Sequence, residues 1–171
     1  AFKRQTISKV NLSYENTPYK FSARLNYYLL ANYIYRDTML KGQQYNGVIP
    51  LTQLNVFKQF NIRRFVFEHN LLGQWLSSNV PLHLPLFASS SRFGYESSVL
   101  KKKLNLSTGI DIRYNMPFYT DAYSPLMYGF VTQYNHLIEN VPRVGYFFNF
   151  KVKTFRGSLC VDEIQQLFTR N

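Results

Sequence analysis

Residues 104–115, LNLSTGIDIRYN, separate completely when read at alternate positions. Leu104, Leu106, Thr108, Ile110, Ile112 and Tyr114 form an apolar or amphipathic set. Asn105, Ser107, Gly109, Asp111, Arg113 and Asn115 form the other, in which every member is polar or glycine. A period of two belongs to a β-strand, because successive side chains leave a pleated chain on opposite faces. A helix would smear both sets around its circumference. Strands of soluble proteins average about 5–6 residues, so this one is long. It suits a strand tilted by about 45° through a bilayer, which needs roughly 9–11 residues.

Seven further segments repeat the pattern, over 2–14, 19–36, 51–59, 62–75, 91–101, 143–153 and 155–163. In 143–153, for example, Val144, Tyr146, Phe148, Phe150 and Val152 oppose Arg143, Asn149, Lys151 and Lys153. In 62–75, Phe65, Phe67, Leu71 and Trp75 oppose Arg64, Glu68 and Asn70. Leu30 and Ile34 break the alternation of 19–36 by standing in its polar set.

The connections alternate in length. Short turns are expected near 15–18, 60–61, 101–103 and 154, and long loops over 37–50, 76–90 and 116–142. Tight turns on one side and long loops on the other are the rhythm of an outer-membrane barrel, with the short turns in the periplasm. Leu126–Tyr134, inside the longest loop, is expected to form a short strand of its own. The fold class expected is therefore all-β: an antiparallel transmembrane β-barrel, with eight strands visible. With short turns in the periplasm, the first strand runs inward and the eighth outward, so both chain ends lie on the outer face. Single-chain bacterial barrels normally start and finish in the periplasm. The eight strands are thus expected to be a portion of a larger barrel of at least ten.

Composition agrees with a membrane wall. Charged residues make up 17% of the 171 positions, below the usual ~25%, while aromatics reach 18%. No run of about 18 apolar residues occurs, so a transmembrane helix is not expected. The start, AFKRQTISKV, lacks the apolar stretch of a signal peptide, as expected for a mature or trimmed exported chain. The formal net charge of +11 raises nucleic acid as a partner. Against that, Lys101–Lys103, Lys58, Arg63, Lys153 and Arg156 fall at or beside short turns, as solvated rim charge does. No recognition-helix pattern or zinc spacing accompanies them.

At this point the residues carry a resemblance. LNLSTGIDIRYN, followed by PFYTDAYSP (117–125) and VGYFFNFKVKTFRGSLCVDE (144–163), resembles the C-terminal part of the "Putative porin" family of Bacteroidota. The family's Gly-(Val/Ile)-Asp-(Val/Ile)-Arg-Tyr-Asn matches Gly109–Asn115, and its Tyr-x-x-Asp-Ala-Tyr-x-Pro matches Tyr119–Pro125. Arg143–Val152 and the basic turn Lys153–Arg156 match the down strand and turn that follow. The family's final Phe-rich strand has no counterpart. The resemblance implies an outer-membrane β-barrel longer than this chain, and passive diffusion of small hydrophilic solutes as its function. A scaffolding barrel with a plugged lumen, within a larger outer-membrane complex, is the alternative. A soluble basic β-domain that binds nucleic acid is the second alternative.

The polar set supplies the candidate site. Arg24, Arg64, Glu68, Glu96, Asp111, Arg113, Lys151 and Asp162 would face the lumen. There they either set ion preference or pair across neighbouring strands. Asp111 and Arg113, two apart on one face, are close enough for such pairing. An excess of Lys and Arg would favour anionic solutes. Leu104, Leu106, Ile110, Ile112, Tyr146, Phe148 and Phe150 would face lipid, with Tyr and Trp near strand ends as aromatic girdles. Catalytic residues, metal ligands and cofactors are not expected, because His69, His83 and His136 are scattered and no catalytic motif occurs. Cys160 is expected to be a small packed residue. The expected location is the bacterial outer membrane. Expected partners are its lipid and lipopolysaccharide and other outer-membrane subunits, with no nucleic acid.

Overall fold

The computed structural model describes residues 2–77, 80–99, 104–126, 128–140 and 142–167. Eight long strands form one antiparallel sheet. They are β1 (Thr6–Asn16), β2 (Phe21–Ala31), β3 (Val48–Ile62), β4 (Phe65–Leu76), β5 (Phe87–Val99), β6 (Leu104–Asn115), β7 (Arg143–Val152) and β8 (Phe155–Val161). Each pairs with its chain neighbour, so the sheet is a plain meander. It is not closed. Among the described residues β1 and β8 each leave one edge unpaired, so the expected barrel is here an open wall.

The alternation that defines β6 extends across the sheet because the register never slips. Ile110 pairs with Tyr146 on β7 and with Phe93 on β5, while Asp111 pairs with Gly145 and Arg92. Each pair brings side chains of one face together, and a slip of one residue would exchange the faces. Among the described strand residues the apolar face carries one charged residue, Lys58. Its ammonium reaches the Tyr19 carbonyl at 2.6 Å and lies 5.1 Å from the Phe60 ring.

Among the described residues no element packs across this face. Val10 and Leu12 are 68% and 69% exposed, and the chain exposes 12616 Å² in all. A compact monomer of 20.2 kDa would expose roughly 8,800 Å². The excess is what a single-layer sheet leaves open. Aromatic pairs sit toward the strand ends: Tyr14–Phe21, Phe65–Tyr95 and Phe150–Phe155 at the turn end, Phe87–Tyr114 at the loop end.

Short turns close one end of the sheet. The turn expected at 60–61 falls later, because Phe60 and Asn61 still pair with Phe67 and Val66. Ile62 and Phe65 extend the alternation, so the reversal passes to Arg63 and Arg64, with Arg63 at φ 56°. Lys153 adopts φ 52° in the β7–β8 turn. The expected turn at 101–103 and the Lys101–Lys103 cluster lie outside the described residues. Strand β5 starts earlier than expected, at Phe87, and β3 begins at Val48 inside the loop expected to end at 50.

The long loops at the other end are structured. They hold the ribbons Ile34–Arg36 with Gly42–Gln44, Phe118–Tyr119 with Leu137–Ile138, and Ala122–Ser124 with Gly129–Val131. The last contains the strand expected within 126–134, reduced to three residues. Among the described residues the helical content is one 3-10 turn, Ile164–Leu167, and no helix is long and apolar enough to cross a membrane.

Candidate functional site: the polar face

The register puts all eight nominated charged residues on one face of the sheet. Arg24 opposes Asn55, Glu68 opposes Arg92, Glu96 opposes Ser107, Arg113 opposes Arg143, and Lys151 opposes Arg156. Arg64 and Asp162 flank strands on the same side by parity. Leu104, Leu106, Ile110, Ile112, Tyr146, Phe148 and Phe150 share the opposite face.

At the centre of the polar face Asp111 does not pair with Arg113. It takes two hydrogen bonds from the Arg92 guanidinium, at 2.7 and 3.0 Å. Strand neighbours on one face lie closer than residues two apart along a strand, which is why the cross-strand partner wins. The fork-on-carboxylate geometry is the strong form of such a pair. The Arg92 guanidinium also stands 4.7 Å over the ring of Phe147, which is only 5% exposed. That ring belongs to the polar set by parity, and it lies across two opposed glycines, Gly94 and Gly109. A Cβ on Gly109 would meet the Phe93 carbonyl oxygen and would lie 2.9 Å from the Phe147 ring. The glycines thus make the slot that an aromatic residue fills.

Between β1 and β4 the same face carries carboxamides. Asn11, Asn26, Gln53 and Gln74 are opposed in turn across the four strands. The Asn11 amide donates to Asn26 at 2.7 Å, and Gln53 donates to Gln74 at 2.6 Å. An amide both gives and accepts, so such a row satisfies itself without net charge. Asn26 and Gln74 are buried. Above the row the polar face turns apolar. Leu30, Ile49 and Leu51 are buried under Val80, with Leu82 and Leu84 packed alongside. The Gln74 amide holds the covering segment by donating to the Pro85 carbonyl at 3.0 Å. Leu30, an exception in the alternation, is therefore a contact for a loop folded over the sheet.

The loops also hold one another. The Thr132 hydroxyl and backbone N–H both donate to the Arg36 carbonyl, at 2.6 and 2.9 Å. His83 Nδ1 lies 3.1 Å from an Asp121 carboxylate oxygen, and its ring is 4.8 Å from that of Tyr134. His83, scattered by sequence, thus finds its partner through folding. Burial pushes the nearby Tyr33 phenol above its ordinary range, and the Asp121 charge adds to the effect. Among the described residues no group of three or more metal-ligating side chains occurs. Cys160, expected to be packed, is exposed on the edge strand β8.

At the turn end a cavity of about 960 Å³ opens over β5–β8. Its lining includes Arg63, Arg64, Lys151 and Arg156, with Glu96 the one carboxylate. Ser98 donates to Asn105 and Ser158 to Asn149, each at 2.7 Å. These neutral donors carry no motif, and only the register brings them beside the cations.

The molecule is thus one open antiparallel sheet with one greasy and one wettable face, tight turns at one end and knitted loops at the other. No curated protein and no solved structure matches the chain. The family model described as "Putative porin" matches residues 1–171, the whole chain, and the protein belongs to that family.

Proposed function

We propose that the sheet forms part of the wall of an outer-membrane β-barrel through which small hydrophilic solutes diffuse. The segregation of the two faces carries this reading. Lys58 is the one charge among the apolar-face strand residues, while Arg24, Glu68, Arg92, Glu96, Asp111, Arg113, Arg143, Lys151 and Arg156 all stand on the other face. Hydrocarbon tolerates the first face and water is needed by the second. Membership of a porin family supports the outer membrane as the location. The free edges of β1 and β8 must find strand partners there, since unpaired backbone groups in lipid cost several kcal/mol each.

Spin labels test the assignment in reconstituted protein. Labels at positions 110 and 112 should collide with oxygen dissolved in acyl chains, and one at 111 with a water-soluble nickel chelate. The same dry environment at all three would end the membrane reading. A second reading, a scaffold with a plugged lumen, is favoured by the segment 80–84 folded over the polar face. Planar-bilayer recording separates them: a diffusion pore conducts and a plugged scaffold passes almost no current.

A further inference from the structure

Strand β7 takes part in two directly opposed like-charged pairs, one with β6 and one with β8, and they differ in what surrounds them. Arg143 opposes Arg113 near the loop end. There the Glu163 carboxylate stands 3.8 Å from Arg143, and Asp111 and Asp162 line the same cavity of about 140 Å³. Lys151 opposes Arg156 near the turn end. Among the described residues no carboxylate forms an ion pair with either. Like charges directly opposed on one sheet face repel, so the second pair lacks the counter-charge that the first has.

We infer that the turn-end cavity is a binding site for a small oxyanion-bearing solute, of the phosphate or carboxylate kind. Lys151 and Arg156 supply one cationic wall, and Arg63 and Arg64 come from the β3–β4 turn on the other side. Across four strand spacings the two walls are separated by roughly 19 Å at the backbone, at about 4.8 Å per strand. Long basic side chains shorten that gap, and a volume of about 960 Å³ leaves room for a solute with more than one anionic group. Between the walls the neutral residues are set to donate. The Asn105 and Asn149 side-chain oxygens accept from Ser98 and Ser158, and each asparagine also carries an NH2 group that can donate to an anion. Glu96 sits two strands from Lys151 and rejects an anion on its own side, which biases the solute toward β7 and β8. The inference rests on the polar face being open to water, as proposed above, but not on passage through the wall.

The test measures binding to the full chain in detergent micelles, with inorganic pyrophosphate and citrate as separate probes. Saturable binding of at least one is expected, and which of the two binds tells phosphate from carboxylate preference. Lys151→Gln with Arg156→Gln should weaken it by roughly tenfold or more, the loss expected for charge-assisted hydrogen bonds. Lys151→Arg keeps the cation and should retain binding if the glutamine variant fails to fold. Lys9→Gln removes a cation from the same face on β1 and should change nothing. Binding that never saturates, or that Lys9→Gln weakens equally, overturns the site and leaves only a diffuse positive field. Conductance is recorded separately. Binding without current sinks the pore and keeps the site, whereas current without binding does the reverse.

Discussion

The polar faces of β1–β4 and of β5–β8 come from one alternation and end in different chemistry. The first is a row of amides beside an apolar floor covered by Val80, Leu82 and Leu84. The second is the Arg92–Asp111 pair above an uncovered cationic cavity. What separates them is whether a loop folds back. The β4–β5 segment is apolar at alternate positions (Val80, Leu82, Leu84) and finds an apolar floor in Leu30, Ile49 and Leu51. Among the described residues no such aliphatic floor exists on β5–β8, where Phe147 is the one large apolar side chain of the polar face and lies beneath Arg92. Covered polar groups must satisfy one another, and amides do so at no charge cost. Uncovered ones can stay ionised because water solvates them.

If that contrast is physical, truncation under the lid must hurt far more than truncation on the bare face. Ile49 is fully buried, and Ile49→Ala should destabilise by about 2–5 kcal/mol through lost contacts and a residual cavity. Val10→Ala, on the open apolar face, should cost less than about 1 kcal/mol in micelles, where detergent replaces part of what is removed. Equilibrium unfolding of both variants in the same detergent decides. Equal losses would mean the lid is not packed on the sheet.

The open half has a smaller, sharper test. Gly109→Ala should cost about 1–3 kcal/mol, because the new methyl collides with the Phe93 carbonyl and the Phe147 ring. Gly94→Ala, on the neighbouring strand, meets nothing nearer than 3.6 Å and should stay within about 0.5 kcal/mol of the parent. The two glycines look interchangeable in sequence, so a reversed order would show that Phe147 does not lie as described.

That pair also marks the limit of what the sequence discloses. The alternation of 104–115 was enough to give strand type and the two sets of side chains, because parity is a local property. The antiparallel order follows from seven like segments and the alternating lengths of their connections. Parity also put Asp111 and Arg113 on one face, but it could not choose Arg92 as the partner of Asp111. That choice depends on register, which is set between strands 19 residues apart. Phe147 stands in a polar set by parity, and the reason appears only once Gly94 and Gly109 come beneath it. Leu30 was a similar exception, explained only by a loop some 50 residues further on. The turn at 60–61 was misplaced because Arg63 takes a positive φ without being Gly or Asn, the usual signal. The basic residues Arg63 and Arg156 were visible as turn charge. Their convergence with Lys151 on one cavity was not, since it needs strands from both ends of β4–β8.

The smallest expected effect lies in the covered half, at the loop that follows β2. Asp37 accepts from the Gln43 side-chain amide at 2.9 Å and from the backbone N–H groups of Lys41 and Met39, each at 2.9 Å. The Gln43 bond, followed by the one from Lys41, holds its carboxyl below the ordinary range. A carboxylate with a lowered folded pKa stabilises above its unfolded pKa, and that help is lost as pH falls through the folded value. The loop should therefore keep its order through neutral and mildly acidic pH and loosen only below the ordinary carboxylate range. Amide hydrogen exchange at Met39 and Lys41 reads this directly, since both N–H groups are donated to the carboxylate. Asp37→Asn keeps an acceptor oxygen but no charge, so its exchange rates should be modestly faster and no longer show the acid step. A protection factor, relative to the intrinsic rate, that already falls near neutral pH in the parent would place the control in another group. The aliphatic lid contacts among Leu30, Ile49, Leu51 and Val80 carry no carboxylate and should hold throughout, so the loop edge and the buried floor of one half come apart by acid alone.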